Sequence, residues 1–504
     1  MPGGVRVAKP MTGIARNARW NALGQGIPLV VGLAAIPVTA QALGPARFGI
    51  LGLIWSVLGY AGALDLGLGR ATTKFVAEHL SRGDQVAARR IATVASAGQL
   101  LLGIAAGLLL FAATPFLVDH VLRVPVAVAE ETRLAFRLLA LSVPLVVGSL
   151  SLRAILEAAQ RFDVVNLIRM PSSILVFVVP AVVTRWGGGL GLIVALLAVL
   201  RLAGVVFLAV AVRRAIPGFH WDWSDGRQVL RTVLGYAGWV AVSNTINPLL
   251  AYLERFILGA LAGVAAVAYY AAPYEAVTRL LIVPASLASA LFPALSASVG
   301  GDAARARHER LFQRSLRFLL VALAPPIIVV IACAGPLTTA WLGPEYAARS
   351  APVLVILAAG VFINSLAQLP SVYLLGRGRP DLPAKFQLVE VGLYAVSAWL
   401  LVRAFGVTGA ALAWTGRVTL DAGLLAVAVW RAERFPPARW YGAGAGRALA
   451  AVGVLAAVAI VAGLTVPPMP RVALLGASAL AFLVYAWRSL LAEEERVAAR
   501  AALS

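Results

Sequence analysis

The chain has 504 residues, 61% of them hydrophobic and 13% charged. Soluble domains carry roughly a quarter charged residues, so an ordinary water-soluble protein is excluded. The formal net charge of +21 would point to nucleic acid in a soluble chain, but the basic residues here sit between apolar runs and not along one face, so nucleic acid is not an expected partner.

Crossing a hydrocarbon core takes about 20 apolar residues, and about fourteen stretches reach that length. In chain order they cover 20–43, 47–69, 88–113, 134–157, 168–185, 190–212, 232–260, 264–290, 315–335, 350–375, 384–403, 407–430, 443–465 and 470–488. Backbone groups in lipid must bond within their own segment, and no period-2 alternation is present, so the spans are expected as α-helices and not as a barrel. The first run is preceded by Arg6, Lys9, Arg16 and Arg19 and is too long for a signal core, so it is expected to stay as helix 1. Threading the spans alternately with the amino terminus inside places 31 of the 43 basic residues on the cytoplasmic side, as short cytoplasmic loops require. Both termini are then cytoplasmic.

The second half echoes the first at a constant offset of 218. Gly83 and Asp84 return as Gly301 and Asp302, Arg161 and Asp163 as Arg379 and Asp381, Arg185, Gly188 and Gly191 as Arg403, Gly406 and Gly409, and Arg213 as Arg431. An even number of helices per repeat gives both copies the same orientation, so the expected symmetry axis runs along the membrane normal. The predicted organisation is a cytoplasmic segment 1–19, a first six-helix lobe 20–213, a cytoplasmic linker 214–231 with Phe219, His220, Trp221, Asp222 and Trp223, a second lobe 232–431, two further helices within 432–490, and a cytoplasmic tail 491–504. Pro28, Pro37, Pro248 and Pro284 are expected to kink helices 1, 7 and 8. Asp84 and Asp302, each after Gly and before a helix, read as N-caps.

Cys333 is the single cysteine, which excludes an internal disulfide. His79, His120, His220 and His308 show no metal-ligand spacing, so no metal or other cofactor is expected. Four arginines, Arg201, Arg255, Arg279 and Arg417, fall within spans, where a cation tends to face a bundle interior or an aqueous cavity. Glu275 with Arg279, and Arg417 with Asp421, stand four apart and also suit pairing along one helix face. Arg201 has no acidic neighbour on its helix. Counted over helices 6, 7, 8, 11 and 12, Glu254, Glu275, Glu390 and Asp421 balance the four arginines, so composition alone does not establish a cationic cavity.

The stretch Leu43-Gly44-Pro45-Ala46-Arg47-Phe48-Gly49, followed by Leu64-Asp65-Leu66-Gly67-Leu68-Gly69-Arg70-Ala71, resembles the opening of the polysaccharide flippases, the O-unit and lipid-linked oligosaccharide exporters of the MATE-like MOP superfamily. Tyr373-Leu374-Leu375-Gly376-Arg377-Gly378-Arg379-Pro380 and Gly406-Val407-Thr408-Gly409-Ala410-Ala411 are similar to that family's second lobe, so the resemblance spans about residues 15–435. It implies an all-α polytopic fold of two six-helix lobes plus two extra helices in a bacterial cytoplasmic membrane. It also implies a transporter, not an enzyme, that moves a polyprenyl-pyrophosphate-linked sugar by alternating access, with polymerase or ligase components as further partners.

A pyrophosphate crossing a low-dielectric region requires cations or donors, and Arg forks onto phosphate oxygens as Lys does not. Arg201, Arg279, Arg255 and Arg417 are therefore the candidate anion-binding residues, with Tyr274 and Trp414 as candidate sugar faces. Coupling to a proton or sodium gradient calls for an intramembrane carboxylate, and Glu390, Glu275, Asp421 and Asp65 are the candidates. For Asp65, the Asp-Leu-Gly sequence at a helix end also suits a local hydrogen-bonded turn. Two rival readings are a MATE-type cation-coupled drug antiporter, disfavoured because helix 1 carries only Gln25 and Gln41 where an uncompensated carboxylate is wanted, and a membrane glycosyltransferase or ligase. The second is disfavoured because the longest outer loop, 114–133, offers only Asp119, His120, Glu130 and Glu131.

Overall fold

The structure is a computed structural model that describes residues 10–216, 222, 224, 246, 249–296, 302–440 and 445–490. Every regular element among these residues is helical: α1 Pro10–Ala63, α2 Leu68–Ser81, α3 Gln85–Phe116, α4 Val126–Ala158, α5 Phe162–Arg185, α6 Leu190–Ala215, α7 249–262, α8 Val264–Val277, α9 Ile282–Ser296, α10 Asp302–Ala332, α11 Ala334–Leu342, α12 Pro344–Gly376, α13 Asp381–Glu433, α14 Ala445–Thr465 and α15 Pro468–Tyr485, with short π and 3-10 turns between some of them.

Eleven described helical stretches are long and apolar enough to cross a membrane. Two of them hold a pair of expected spans each, because α1 and α13 run through the turn between the two spans with a single non-helical residue, Gly44 (φ 69, ψ 169) and Gly406 (φ 57, ψ −127). Expected span 232–260 lies largely outside the described residues and is helical from 249. Pro28 and Pro37 do not break α1, since no residue there leaves helical dihedrals, whereas the expected kink of helix 8 falls at the 3-10 turn Thr278–Leu281, just before Pro284. Positive-φ glycines make the breaks at Gly44, Gly263, Gly343 and Gly406, because a left-handed step bends a helix pair sharply and costs a Cβ-bearing residue about 1–2 kcal/mol. Pro248 lies outside the described residues. Residues 70–81, which connect the expected spans 47–69 and 88–113, are also helical. They form α2, a strongly amphipathic helix that buries Leu68, Ala71, Thr72 and Val76 on one face.

The offset of 218 survives at the level of single hydrogen bonds. The Arg161 amide donates to Leu156 O (2.8 Å) and the Arg379 amide to Leu374 O (2.9 Å), while Gln160 and Gly378 take the left-handed φ of each turn. Arg161 forks onto Asp163 and Arg379 onto Asp381. Asp84 caps α3 by accepting from the Ala87 amide (3.0 Å), and that bond holds its carboxyl below the usual carboxylate range. The Asp302 side chain lies outside the described residues, as do Phe219, His220, Trp221 and Trp223 of the linker. Asp222 is described: its amide donates to Thr93 Oγ1 (2.9 Å) and its carboxylate accepts from Arg90 (3.2 Å), which fastens the linker to α3.

The buried apolar residues divide unequally along the bundle. One large core joins both halves of the chain at the end that carries the turns at Gly44, Gly263, Gly343 and Gly406, taking Phe48 and Leu51 from α1, Phe136 from α4, Phe177 from α5, Tyr269 and Tyr270 from α8, Leu357 from α12 and Trp414 from α13. The other end holds two separate cores, one built only from residues 68–216 and one only from residues 295–435. The halves are therefore welded at the turn end and parted at the Arg-rich end.

The residues of the opening motif explain much of the weld. Gly49 faces the Val264 backbone so closely that a Cβ would lie 1.7 Å from its carbonyl oxygen, and Phe48 is fully buried. Glu131 accepts from Arg47 (2.7 Å) and from the Leu190 amide (2.6 Å). Across the halves, the Arg123 amide donates to Gly259 O (3.3 Å), Trp341 Nε1 to Leu33 O (2.7 Å) and the Tyr346 hydroxyl to Ala40 O (3.2 Å). The last two helices, α14 and α15, pack on α10 through Val321, Leu455, Ala459 and Phe482.

Candidate anion-binding cavity

A cavity of about 530 Å³ opens between the parted halves. It is lined chiefly by α1, α4, α5 and α6, and from the second half by Tyr252, Glu275 and Arg279. Its charged lining is four arginines, Arg153, Arg169, Arg201 and Arg279, against one carboxylate, Glu275; Ser149, Ser172 and Ser173 add hydroxyls. Trp55 and Phe177 form part of its wall, stacked edge to face at 5.4 Å. The near-neutral balance counted from sequence does not describe this cavity. Glu254, Glu390 and Asp421 are not in its lining, whereas Arg153 and Arg169, counted among the cytoplasmic residues because each stands near a span end, are.

Arg201, Arg153 and Arg169 make no side-chain hydrogen bond or ion pair within 4 Å with any described residue. Glu157, one turn beyond Arg153 on α4, is the carboxylate whose charge reaches both Arg153 and Arg169. Unpaired guanidiniums at intramembrane depth are costly unless something anionic or aqueous faces them. Three of them line this one cavity, and the fork of a guanidinium can take two oxygens of an anion at once.

The other sequence candidates are placed elsewhere. Arg255 is fully buried behind the cavity wall; it donates to Glu275 (3.1 Å) and to Ser56 Oγ (3.3 Å) and lies over the ring of Tyr274 at 4.5 Å. Arg279 reaches the cavity and also donates to Glu275 (3.1 Å), the expected pairing four residues apart. Arg417 turns to Glu390 of the facing arm of α13 (3.4 Å), not to an open site, with the Asp421 carboxyl beside that pair. Glu390 is fully buried and its Oε1 has no hydrogen bond among the described residues. Tyr274 and Trp414 are buried against each other at 5.7 Å and present no face to the cavity, so neither is placed to stack on a sugar. Asp65 caps the turn between α1 and α2, accepting from the Gly69 amide (2.8 Å) and from Gln99. That is the local-turn alternative. Glu254 accepts from Tyr270 (3.0 Å) and Tyr394 (2.7 Å) and is fully buried.

The fold defines the class first. It matches that of a lipid II flippase, MurJ, in an inward closed conformation, with a TM-score of 0.72 at 11% identity over 93% of this chain and 99% of that one. It also matches a multidrug resistance MATE family transporter of the MOP superfamily in an inward-facing conformation, with a TM-score of 0.67 at 16% identity over 82% of this chain and 98% of that one. The chain is thus a polytopic α-helical membrane protein with the fold of these two transporters. Within that class it belongs to the polysaccharide biosynthesis protein family, whose profile matches residues 14–299. A putative O-antigen transporter of Shigella flexneri is 30% identical over 414 residues, covering 82% of this chain and 96% of the relative.

Proposed function

We propose that this protein is a flippase that carries a polyprenyl-pyrophosphate-linked oligosaccharide from the cytoplasmic to the outer leaflet of a bacterial cytoplasmic membrane, for cell-surface polysaccharide synthesis. The observation that carries the reading is the convergence of Arg153, Arg169, Arg201 and Arg279 on one cavity whose lining holds a single carboxylate. A pyrophosphate bears at least two negative charges and several acceptor oxygens, which the unpaired guanidiniums match. Family membership and the O-antigen transporter relative support the same substrate class. The same cationic lining opposes a drug antiporter, whose organic cations would be repelled, and the protein acts as a transporter, not as a glycosyltransferase or ligase.

The two halves act as lobes in alternating access, the weld opening as the parted end closes. Their parted end is the cytoplasmic one, which puts the Arg-rich connections and both termini inside, in accord with the excess of basic residues on short cytoplasmic loops. Polymerase or ligase components take over the product on the far side. Glu390, with Asp421 beside it and Arg417 as counter-charge, is the coupling site for a proton or sodium ion: it is a fully buried carboxyl held against a second carboxyl and one guanidinium.

The test is reconstitution in proteoliposomes with a fluorescent polyprenyl-pyrophosphate oligosaccharide and, in parallel, ethidium, under an imposed proton or sodium gradient. Translocation of the glycolipid with no ethidium movement is the expected result. Ethidium movement without glycolipid movement overturns the reading.

A further inference from the structure

Behind the cavity wall, three ionic side chains and one hydroxyl form a line from the cavity to the contact between the halves. Arg279 Nη2 donates to Glu275 Oε2 (3.1 Å), Arg255 Nη2 donates to Glu275 Oε1 (3.1 Å), and Arg255 Nη1 donates to Ser56 Oγ (3.3 Å). Side-chain exposure falls along this line, 35% at Arg279, 16% at Glu275 and 0% at Arg255, so the line runs from the aqueous cavity into the protein interior. Ser56 is on α1 in the first half; the other three are on α7, α8 and the turn after it in the second half. The contact it reaches is close. At Gly59, one turn beyond Ser56, a Cβ would meet the Tyr252 ring at 2.4 Å, and Tyr60 packs on Tyr252 and Phe256 at 5.7 Å each.

We infer that Glu275 is a positioning residue that transmits cargo occupancy to the contact between the halves, an inference that rests on the anion-cavity reading above. Glu275 is one anion shared by two cations, of which Arg255 also holds Ser56. An anion that docks on Arg279 competes for the guanidinium held by Glu275 Oε2. The released carboxylate then has Arg255 as its remaining cation, and Arg255 is drawn from Ser56 toward Glu275. Occupancy thereby loosens the polar tie between α1 and α7 where the halves must separate. A ligand shifts a conformational equilibrium only through such a difference in contacts between the two states, and this line supplies one.

Neutralising Glu275 separates binding from coupling, and the two effects have opposite signs. Glu275→Gln removes the one carboxylate from a lining that holds four arginines, so anion affinity rises, by about tenfold for the loss of one like charge worth ~1.4 kcal/mol. The link to Arg255 and Ser56 is lost at the same time. The experiment uses the full chain in lipid nanodiscs, in a Cys333→Ser background, with spin labels at Val86→Cys and Lys385→Cys on the two parted ends and inorganic pyrophosphate as the probe. Wild type is expected to bind pyrophosphate and to shift the interspin distance on binding. Glu275→Gln is expected to bind more tightly with no shift, and Ser56→Ala to bind as wild type with no shift. If Glu275→Gln and Ser56→Ala both bind and both shift as wild type does, the relay is overturned while the anion site stands. If wild type itself binds no pyrophosphate, the anion-cavity reading fails and the relay with it. Should Glu275→Gln not fold, Ser56→Ala decides the matter alone.

Discussion

Replacing Arg201 by Ala separates a binding arginine from a structural one. Arg201 lines the cavity from the middle of α6 and makes no hydrogen bond or ion pair with a described residue, so its removal leaves no partner stranded. A hydrogen bond to a charged group contributes about 1.5–3 kcal/mol. At about 1.4 kcal/mol per factor of ten, the variant should bind a short-chain prenyl pyrophosphate roughly 10- to 150-fold more weakly. Its folding stability should hold or rise, because the cost of burying an unpaired guanidinium disappears. Titration calorimetry on detergent-purified protein reads the first quantity and thermal unfolding followed by tryptophan emission reads the second. Arg255→Ala is the contrast: Arg255 is fully buried and paired with Glu275, and breaking one side of a buried pair costs about 3–5 kcal/mol. It should therefore fail on stability. An Arg201→Ala protein that binds with wild-type affinity, or that loses stability in step with binding, would refute this separation of roles.

Three further outcomes are expected. Gly49→Ala should abolish folded yield, since the new Cβ would lie 1.7 Å from the Val264 carbonyl oxygen, whereas Gly98→Ala on α3, with nothing within 4 Å, should leave yield unchanged; size-exclusion profiles of the two compare them directly. Arg417→Leu should destabilise by about 3–5 kcal/mol because it leaves the buried Glu390 without its cation, and the double variant Arg417→Leu/Glu390→Leu should recover most of that loss in a denaturation series. Trp341→Phe removes the 2.7 Å bond to Leu33 O across the weld. At about 1 kcal/mol per hydrogen bond it should shift the open population at that end roughly fivefold, read as a longer distance between spin labels at Gln41 and Arg349.

The helices were legible because lipid leaves the backbone no alternative, so length and apolarity suffice to find them. The internal repeat was legible because Arg161, Asp163, Arg379 and Asp381 close equivalent turns, a local chemistry that sequence displays. The bend in α1 was misplaced onto Pro28 and Pro37, which announce themselves in a sequence, whereas the left-handed step at Gly44 or Gly343 is visible only once φ is known. The cavity was half legible. Arg201 and Arg279 could be picked because they stand deep in apolar spans. Arg153 and Arg169 could not, because a residue near a span end reads as cytoplasmic and only the packing of α4 against α6 and α5 turns both inward. Net charge misled for a related reason: Glu390 and Asp421 count equally with Glu275 along the chain, although they sit with Arg417 in the interior of the second half and contribute nothing to the lining. The opening motif, Leu43 to Gly49, identified the family, yet its residues mostly hold the weld together.

A cryo-electron microscopy structure of the protein bound to a polyprenyl-pyrophosphate oligosaccharide tests the central claim most directly. The expected density places the pyrophosphate within hydrogen-bond reach of Arg201 and Arg279, with Arg153 and Arg169 facing its remaining oxygens. Density for the pyrophosphate outside this cavity, with the four guanidiniums unengaged, would contradict it.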